Sequence, residues 1–318
     1  MSESVLKLHN VCKRYGDFTA VDNISLSIPK GSVYGFLGPN GAGKTTTIRM
    51  ILDIIRPDTG QIEVLGSPSA MNVRHRIGYL PEEKGLYKKM KVWAIIAYFG
   101  ALQGLPRKQA RNKAFELLER YGLSDFANSA IESLSKGMGQ KVQVLASIVH
   151  EPELVILDEP FSGLDPVNQE VLEQLIRDLS DNGQTVIFST HVMQHAERLC
   201  ERLLLITQGR KVFDGTVADA HAIIPRRIVL ETCESVQSLE AIDGVLSIKR
   251  LPPDLTGVRP AGSCQWELYV REQADPQEIL QHCFSNGVTL SRFDFTQASL
   301  HDVFMHLVGT EAREHKFR

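Results

Sequence analysis

Nine consecutive residues, Gly38-Pro39-Asn40-Gly41-Ala42-Gly43-Lys44-Thr45-Thr46, carry the strongest chemical signal in the chain. They fit the pattern G-x-x-x-x-G-K-[ST], whose glycines let the backbone wrap so that its N–H groups point inward at phosphate oxygens. Lys44 adds a full positive charge, the start of the following helix adds a partial one, and the Thr45 hydroxyl is placed to ligate Mg²⁺. A second cluster comes much later. Leu154-Val155-Ile156-Leu157-Asp158-Glu159 is an apolar run that ends in two acids. A carboxylate at the end of a buried strand beside a phosphate loop can hold Mg²⁺, and that is the role expected of Asp158. Glu159, one residue on, can polarise the water that attacks a γ-phosphate.

Strands and helices must bring these groups together. The apolar run Val33–Leu37 reads as a buried strand leading into the loop, and residues 46–52 read as the helix leaving it. Residues 5–11 and 24–28 read as strands joined through a Gly16-Asp17 turn, 61–65 as another, and 76–81 as a strand running into a loop. Residues 93–150 are helical in pattern almost throughout, which predicts a helical insertion. Strands return at 154–157 and 185–188, with a helix over 169–179 between them, as a right-handed βαβ crossover requires. Residues 203–207 and 211–214 form a hairpin hinged at Gln208-Gly209-Arg210.

The pattern changes beyond about residue 222. Strands at 227–232, 245–251, 265–271 and 288–295 alternate with helices at 235–241 and 276–285, broken by a loop opening at Pro252-Pro253. That βαββαβ order predicts a small ferredoxin-like α+β domain, capped by a helix over 300–308.

Composition narrows the class. The 318 residues suffice for two domains, and 43% hydrophobic with 23% charged residues is ordinary for a globular protein. A net charge of −3 provides no field that would recruit nucleic acid. Five scattered cysteines without metal-ligand spacing point to reduced thiols in the cytoplasm. The first residues lack the organisation of a secretory signal. The most apolar helix candidate, 92–105, is too short to span a bilayer and is interrupted by Gly100, so any membrane role must come through a partner.

Leu134-Ser135-Lys136-Gly137-Met138 resembles the signature motif of ATP-binding cassette (ABC) proteins. Ser162-Gly163-Leu164-Asp165 resembles the D-loop of that family, and Ser189-Thr190-His191 resembles its switch-histidine segment. Tyr15 matches the aromatic that stacks on adenine. The motifs fall in the family's order across roughly residues 5–220. The resemblance implies an α/β P-loop NTPase cassette over 1–222 with a helical subdomain at about 86–150, followed by an accessory domain over 223–318. It implies ATP and Mg²⁺ as ligands, with Tyr15, Ser135, Lys136, Gly137 and Asp165 joining the phosphate loop at the nucleotide and His191 sensing the γ-phosphate. It also implies a homodimer in which Ser135 to Gly137 of one chain close over ATP bound by the other.

Two departures stand out. Where the family usually has glutamine, this chain has Glu82, whose carboxylate keeps an oxygen able to approach Mg²⁺. Lys136 replaces the usual first signature glycine, and Met138 the usual glutamine. The segment from Tyr79 to Tyr87, with the ending Ser299-Leu300-His301-Asp302-Val303-Phe304, resembles ATPase subunits of ABC-2 and sodium-efflux export systems. Integral permease subunits at the cytoplasmic face of a membrane would then be the partners, contacted through Leu86 and Tyr87. A soluble cassette acting on a ribosome, nucleic acid or assembly partner is the rival, and a regulatory module that hydrolyses ATP poorly is a third reading.

Overall fold

Strand formation at the start of the chain follows from alternation: in Ser4–Tyr15 and Phe18–Pro29, apolar positions such as Leu6, Leu8, Ile24 and Ile28 are buried while polar neighbours face out. The structure, a computed structural model, describes residues 3–83, 85, 87–251, 264–271 and 273–314, with side chains described to residue 309. The chain divides into two units, Met1–Val217 and Ala218–Arg318.

In the first unit, β1 (Ser4–Tyr15), β2 (Phe18–Pro29), β3 (Val33–Leu37), α1 (Lys44–Ile51), β4 (Thr59–Val64) and β5 (Ile77–Leu80) come first. Next are α2 (Val92–Leu102), α3 (Arg107–Arg120), α4 (Lys136–Ile148), β6 (Leu154–Asp158), α5 (Pro166–Asp181) and β7 (Thr185–Thr190). After them come α6 (Met193–Leu199), β8 (Arg202–Thr207) and β9 (Arg210–Thr216), and the short α7 (Val217–His221) runs across the division into the second unit. An antiparallel sheet runs β2-β1-β4, and a larger mixed sheet runs β5-β6-β7-β3-β8-β9 with only β9 antiparallel. Strands β3, β6 and β7 are buried at every position, which explains why they read as unbroken apolar runs rather than alternating ones. Their parallel register sets Leu37 beside Thr190, and Asp158 beside Ser189, at one edge of the sheet.

The structure modifies several expectations. Strands β1 and β2 are longer than the apolar stretches suggested, because bulges carry the pairing past the polar positions. The helical stretch is three helices, and between α3 and α4 the chain has only three-residue 3₁₀ turns at Ser124–Phe126 and Ile131–Ser133. Gly100 does not interrupt α2. It lies within the helix, where a Cβ would come 3.1 Å from Val149 and 3.3 Å from Ala110, so the glycine permits close packing. No helix among the described residues is long and apolar enough to cross a membrane.

The second unit contains β10 (Arg226–Thr232), β11 (Val245–Arg250), β12 (Cys264–Val270), α8 (Pro276–Ser285), β13 (Leu290–Thr296) and α9 (Leu300–Glu314). The sheet order β11-β12-β10-β13, antiparallel throughout, is that of a ferredoxin-like βαββαβ unit. Its first helix is reduced to a 3₁₀ turn at Gln237–Ala241. The core gathers Ile228, Leu230, Leu239, Leu268, Ile279 and Cys283. The loop opening at Pro252-Pro253, like Leu86, lies outside the described residues.

At the end of the unit, Ser299 and Asp302 form a capping box. The Asp302 N–H donates to Ser299 Oγ at 3.2 Å, and the Ser299 N–H donates to Asp302 Oδ2 at 3.0 Å. Arg227 reaches Asp302 at 3.4 Å and Glu267 at 3.2 Å, while Leu300 and Val303 are fully buried. The Ser299 to Phe304 motif is thus the start of a helix anchored by an ion-pair network.

Candidate functional site: a phosphate loop and two acids

Strand β3 delivers the chain to the loop between β7 and β8, so the loop forms at the carboxyl edge of a parallel sheet. Gly43 ends it at φ 103° as the N-cap of α1. A side chain there would be strained and would collide with the Ala20 carbonyl, so the position requires glycine. No side chain caps α1, and its first N–H groups are left for a ligand. Lys44 is buried and curls back over the loop, donating to the carbonyls of Gly38 at 2.7 Å and Pro39 at 3.2 Å. A cleft of about 440 Å³ opens here, lined by Phe18, Ala20, Asn40 to Thr46, Glu82 and Glu159.

The acids arrive on β6. Asp158 is fully buried; its Oδ1 accepts from Ser189 Oγ at 2.5 Å and from Thr45 Oγ1 at 3.3 Å. Its Oδ2 is buried with no hydrogen-bond partner among the described residues. An unpaired carboxylate oxygen beside a threonine hydroxyl is the donor pair a hard divalent cation takes. Glu159 sits at φ 48°, a left-handed conformation that costs a non-glycine residue of order 1–2 kcal/mol. Its N–H donates to Ser189 Oγ at 2.9 Å, and its Oε2 accepts from His191 Nδ1 at 2.9 Å. Its Oε1 lies 3.4 Å from Lys44 Nζ, an ion pair without hydrogen-bond geometry. Lys44, Thr45, Asp158, Glu159 and His191 therefore converge.

Ser189 is the member that the sequence reading passed over. It is the last residue but one of β7, directly before Thr190-His191, and its hydroxyl serves both acids at once. A polar residue closing a buried strand in register with Asp158 was the available signal.

The other expected residues lie apart from these. Tyr15, at the end of β1, is half exposed with Lys13 Nζ 5.6 Å from its ring centre; it does not line the cleft, whereas Phe18, its partner across the turn, does. Ser135 caps α4, accepting from the Met138 N–H at 3.2 Å. Lys136 is exposed, with its ammonium lying over Gly163. Gly137 backs onto the Asn168 side chain, and Asp165 caps α5 through the Asn168 N–H at 2.9 Å and side-chain amide at 2.7 Å. Those bonds, the backbone one foremost, hold the Asp165 carboxyl below the usual carboxylate range. Ser135, Lys136, Gly137 and Asp165 adjoin one another through Gly163 and Asn168, and none of them lines the cleft of its own chain. Glu82 is exposed on the cleft lining.

Comparison with known proteins agrees with this geometry. Residues 21–162 match the ABC transporter family, and residues 225–308 match the C-terminal domain of ATP-binding proteins described as DrrA1-3-like. The uncharacterized ABC transporter ATP-binding protein YhaQ of Bacillus subtilis is 37% identical over 96% of this chain and 99% of its own. The chain belongs to the ABC transporter ATP-binding proteins. Other members of the family are similar over nearly their whole length: Nod factor export ATP-binding protein I of Ralstonia nicotianae is 34% identical over 98% of this chain and 96% of its own. A solved ATP-binding subunit of an ABC transporter matches with TM-score 0.63 and 28% identity over 69% of this chain and 92% of that one. This ABC protein is accordingly an ATP-binding ATPase.

Proposed function

We propose that this ABC protein is the ATP-hydrolysing subunit of a membrane exporter, working as a nucleotide-sandwiched homodimer on integral permease subunits of the ABC-2 type. The observation that carries the dimer is the separation described above: Lys44 and Glu159 line the cleft, with His191 bonded to Glu159, while Ser135 to Gly137 of the same chain neither line it nor touch these residues in any described hydrogen bond. A second chain would supply its own Ser135 to Gly137 and seal the triphosphate. Full-length similarity to a Nod factor export protein supports the export role, with the subunit held at the cytoplasmic face of the membrane by its permease.

In this reading the loop amides and Lys44 bind and orient the phosphates, and Glu159 accepts a hydrogen bond from the attacking water. His191 orients the Glu159 carboxylate through Nδ1, which leaves its other ring nitrogen for the γ-phosphate. Thr45 and Asp158 would hold Mg²⁺, with Glu82 within the same cleft; the ion would offset phosphate charge. Among the described residues no three His, Cys, Asp or Glu side chains form a metal cluster, so a Mg²⁺ here would take further oxygens from nucleotide and water.

The test is Glu159→Gln. The variant should bind ATP, lose turnover by about 100-fold or more, and accumulate as an ATP-bound dimer in light scattering. A variant that stays monomeric at saturating ATP, alone and with its permease in lipid, would refute the sandwich; undiminished turnover would refute the role of Glu159.

A further inference from the structure

The backbone that carries Glu159 needs outside support, since its left-handed φ is one that a non-glycine residue holds only when its surroundings impose it. Two supports are already described on one side of the segment: Ser189 Oγ holds the Glu159 N–H, and His191 holds its carboxylate. Gln140 of α4, itself buried, donates to the Pro160 carbonyl at 3.2 Å. The last support is aromatic. Phe161, buried two residues beyond Glu159, meets Phe188 edge-on with ring centres 5.8 Å apart, and its face is covered by the His195 ring, parallel within 11° at 4.1 Å.

We propose that His195 is a positioning residue for ATP hydrolysis: through its stack on Phe161 it fixes the Glu159-Pro160-Phe161 segment and so holds the Glu159 carboxylate on line for water. His195 lies in α6, four residues beyond His191, so the same short stretch orients Glu159 in two ways, by a hydrogen bond and by a ring face. The far side of the imidazole explains why a histidine can serve. Its Nδ1 faces the buried Glu173 at 3.6 Å, too long for a hydrogen bond, and neither that nitrogen nor Glu173 Oε1 has a hydrogen-bond partner among the described residues. Arg177 and Arg198 each stand 3.6 Å from the same carboxylate and balance its charge. The His195 ring is stacked on Phe161 and lies beyond hydrogen-bond distance of Glu173; burial pulls its pKa below the usual imidazole value and favours the neutral form.

The inference rests on Glu159 acting on the water, and the experiment separates the two. His195→Ala should lower kcat about 10-fold, the loss of roughly one decade expected when one of several supports is removed, while KM and ATP affinity stay within about twofold. His195→Phe, which keeps the ring face, should return kcat to within about threefold of the parent. His195→Leu fills the space without an aromatic face and should behave like His195→Ala; it decides the matter should His195→Ala fail to fold. Unchanged kcat in the alanine and leucine variants, no recovery with phenylalanine, or a loss confined to KM would overturn the proposal. Glu159→Gln measured alongside reports on the underlying assignment: if it is inactive while the His195 variants are not, only the positioning role fails.

Discussion

Helices α1 and α4 both present N-terminal amides where phosphate could bind, yet their ends are finished differently. Helix α1 starts at a glycine with no side-chain cap, inside a cleft that also holds Lys44 and Thr45. Helix α4 starts at Ser135, whose hydroxyl already takes the Met138 N–H, and its first residue, Lys136, faces outward. An uncapped end surrounded by charge can accept an anion without rearranging; a capped end at the surface must trade a bond it already has. The difference teaches that the two ends are built differently, and under the proposed sandwich one would bind ATP within its own chain while the other would meet ATP only when a second chain brings it.

The largest test of this contrast is Lys44→Ala. Removing a buried ammonium from the phosphate loop should weaken ATP binding by about 100-fold, as loss of charge-assisted contacts worth about 1.5–3 kcal/mol implies, measured by displacement of a fluorescent nucleotide. Wild-type affinity in that variant would break the comparison at its α1 end. Ser135→Ala comes next. It should cost about 1 kcal/mol of stability through the lost cap and leave the ATP affinity of the monomer within about twofold. Turnover at saturating ATP should fall about 10-fold. A parallel loss of monomer affinity would mean that the two ends are not separate. The smallest effect concerns the aromatics: Phe18→Ala should weaken ATP binding about fivefold, the lower range for loss of a base-stacking ring, and Tyr15→Ala by less. The opposite order would return the base to Tyr15.

The phosphate loop and the Asp158-Glu159 pair were legible because their chemistry fixes both residue type and local spacing. The Ser135 cap follows equally local logic, since it acts on a neighbour three residues away. What escaped was set across the sheet. Ser189 meets Asp158 through the register of β6 and β7, and His195 meets Phe161 through the packing of α6; neither partner is close in sequence. The hairpin aromatics depend on packing in a similar way: across the turn at Gly16-Asp17 it is Phe18, paired with Tyr15, that lines the cleft. In the second unit the strand order could be anticipated from alternation, but five residues at Gln237–Ala241 were too few to distinguish an α-helix from a 3₁₀ turn.

The capping box at Ser299 and Asp302 bears on how the second unit can be dissected. A truncation ending before Ser299 would strip Arg227 of one of its two carboxylate contacts and uncover whatever Leu300 and Val303 now shield. Such a shortened protein would report on misfolding as much as on the duty of the accessory domain. Point changes on the outer side of α9, such as at the exposed Met305, probe that duty without unseating the helix.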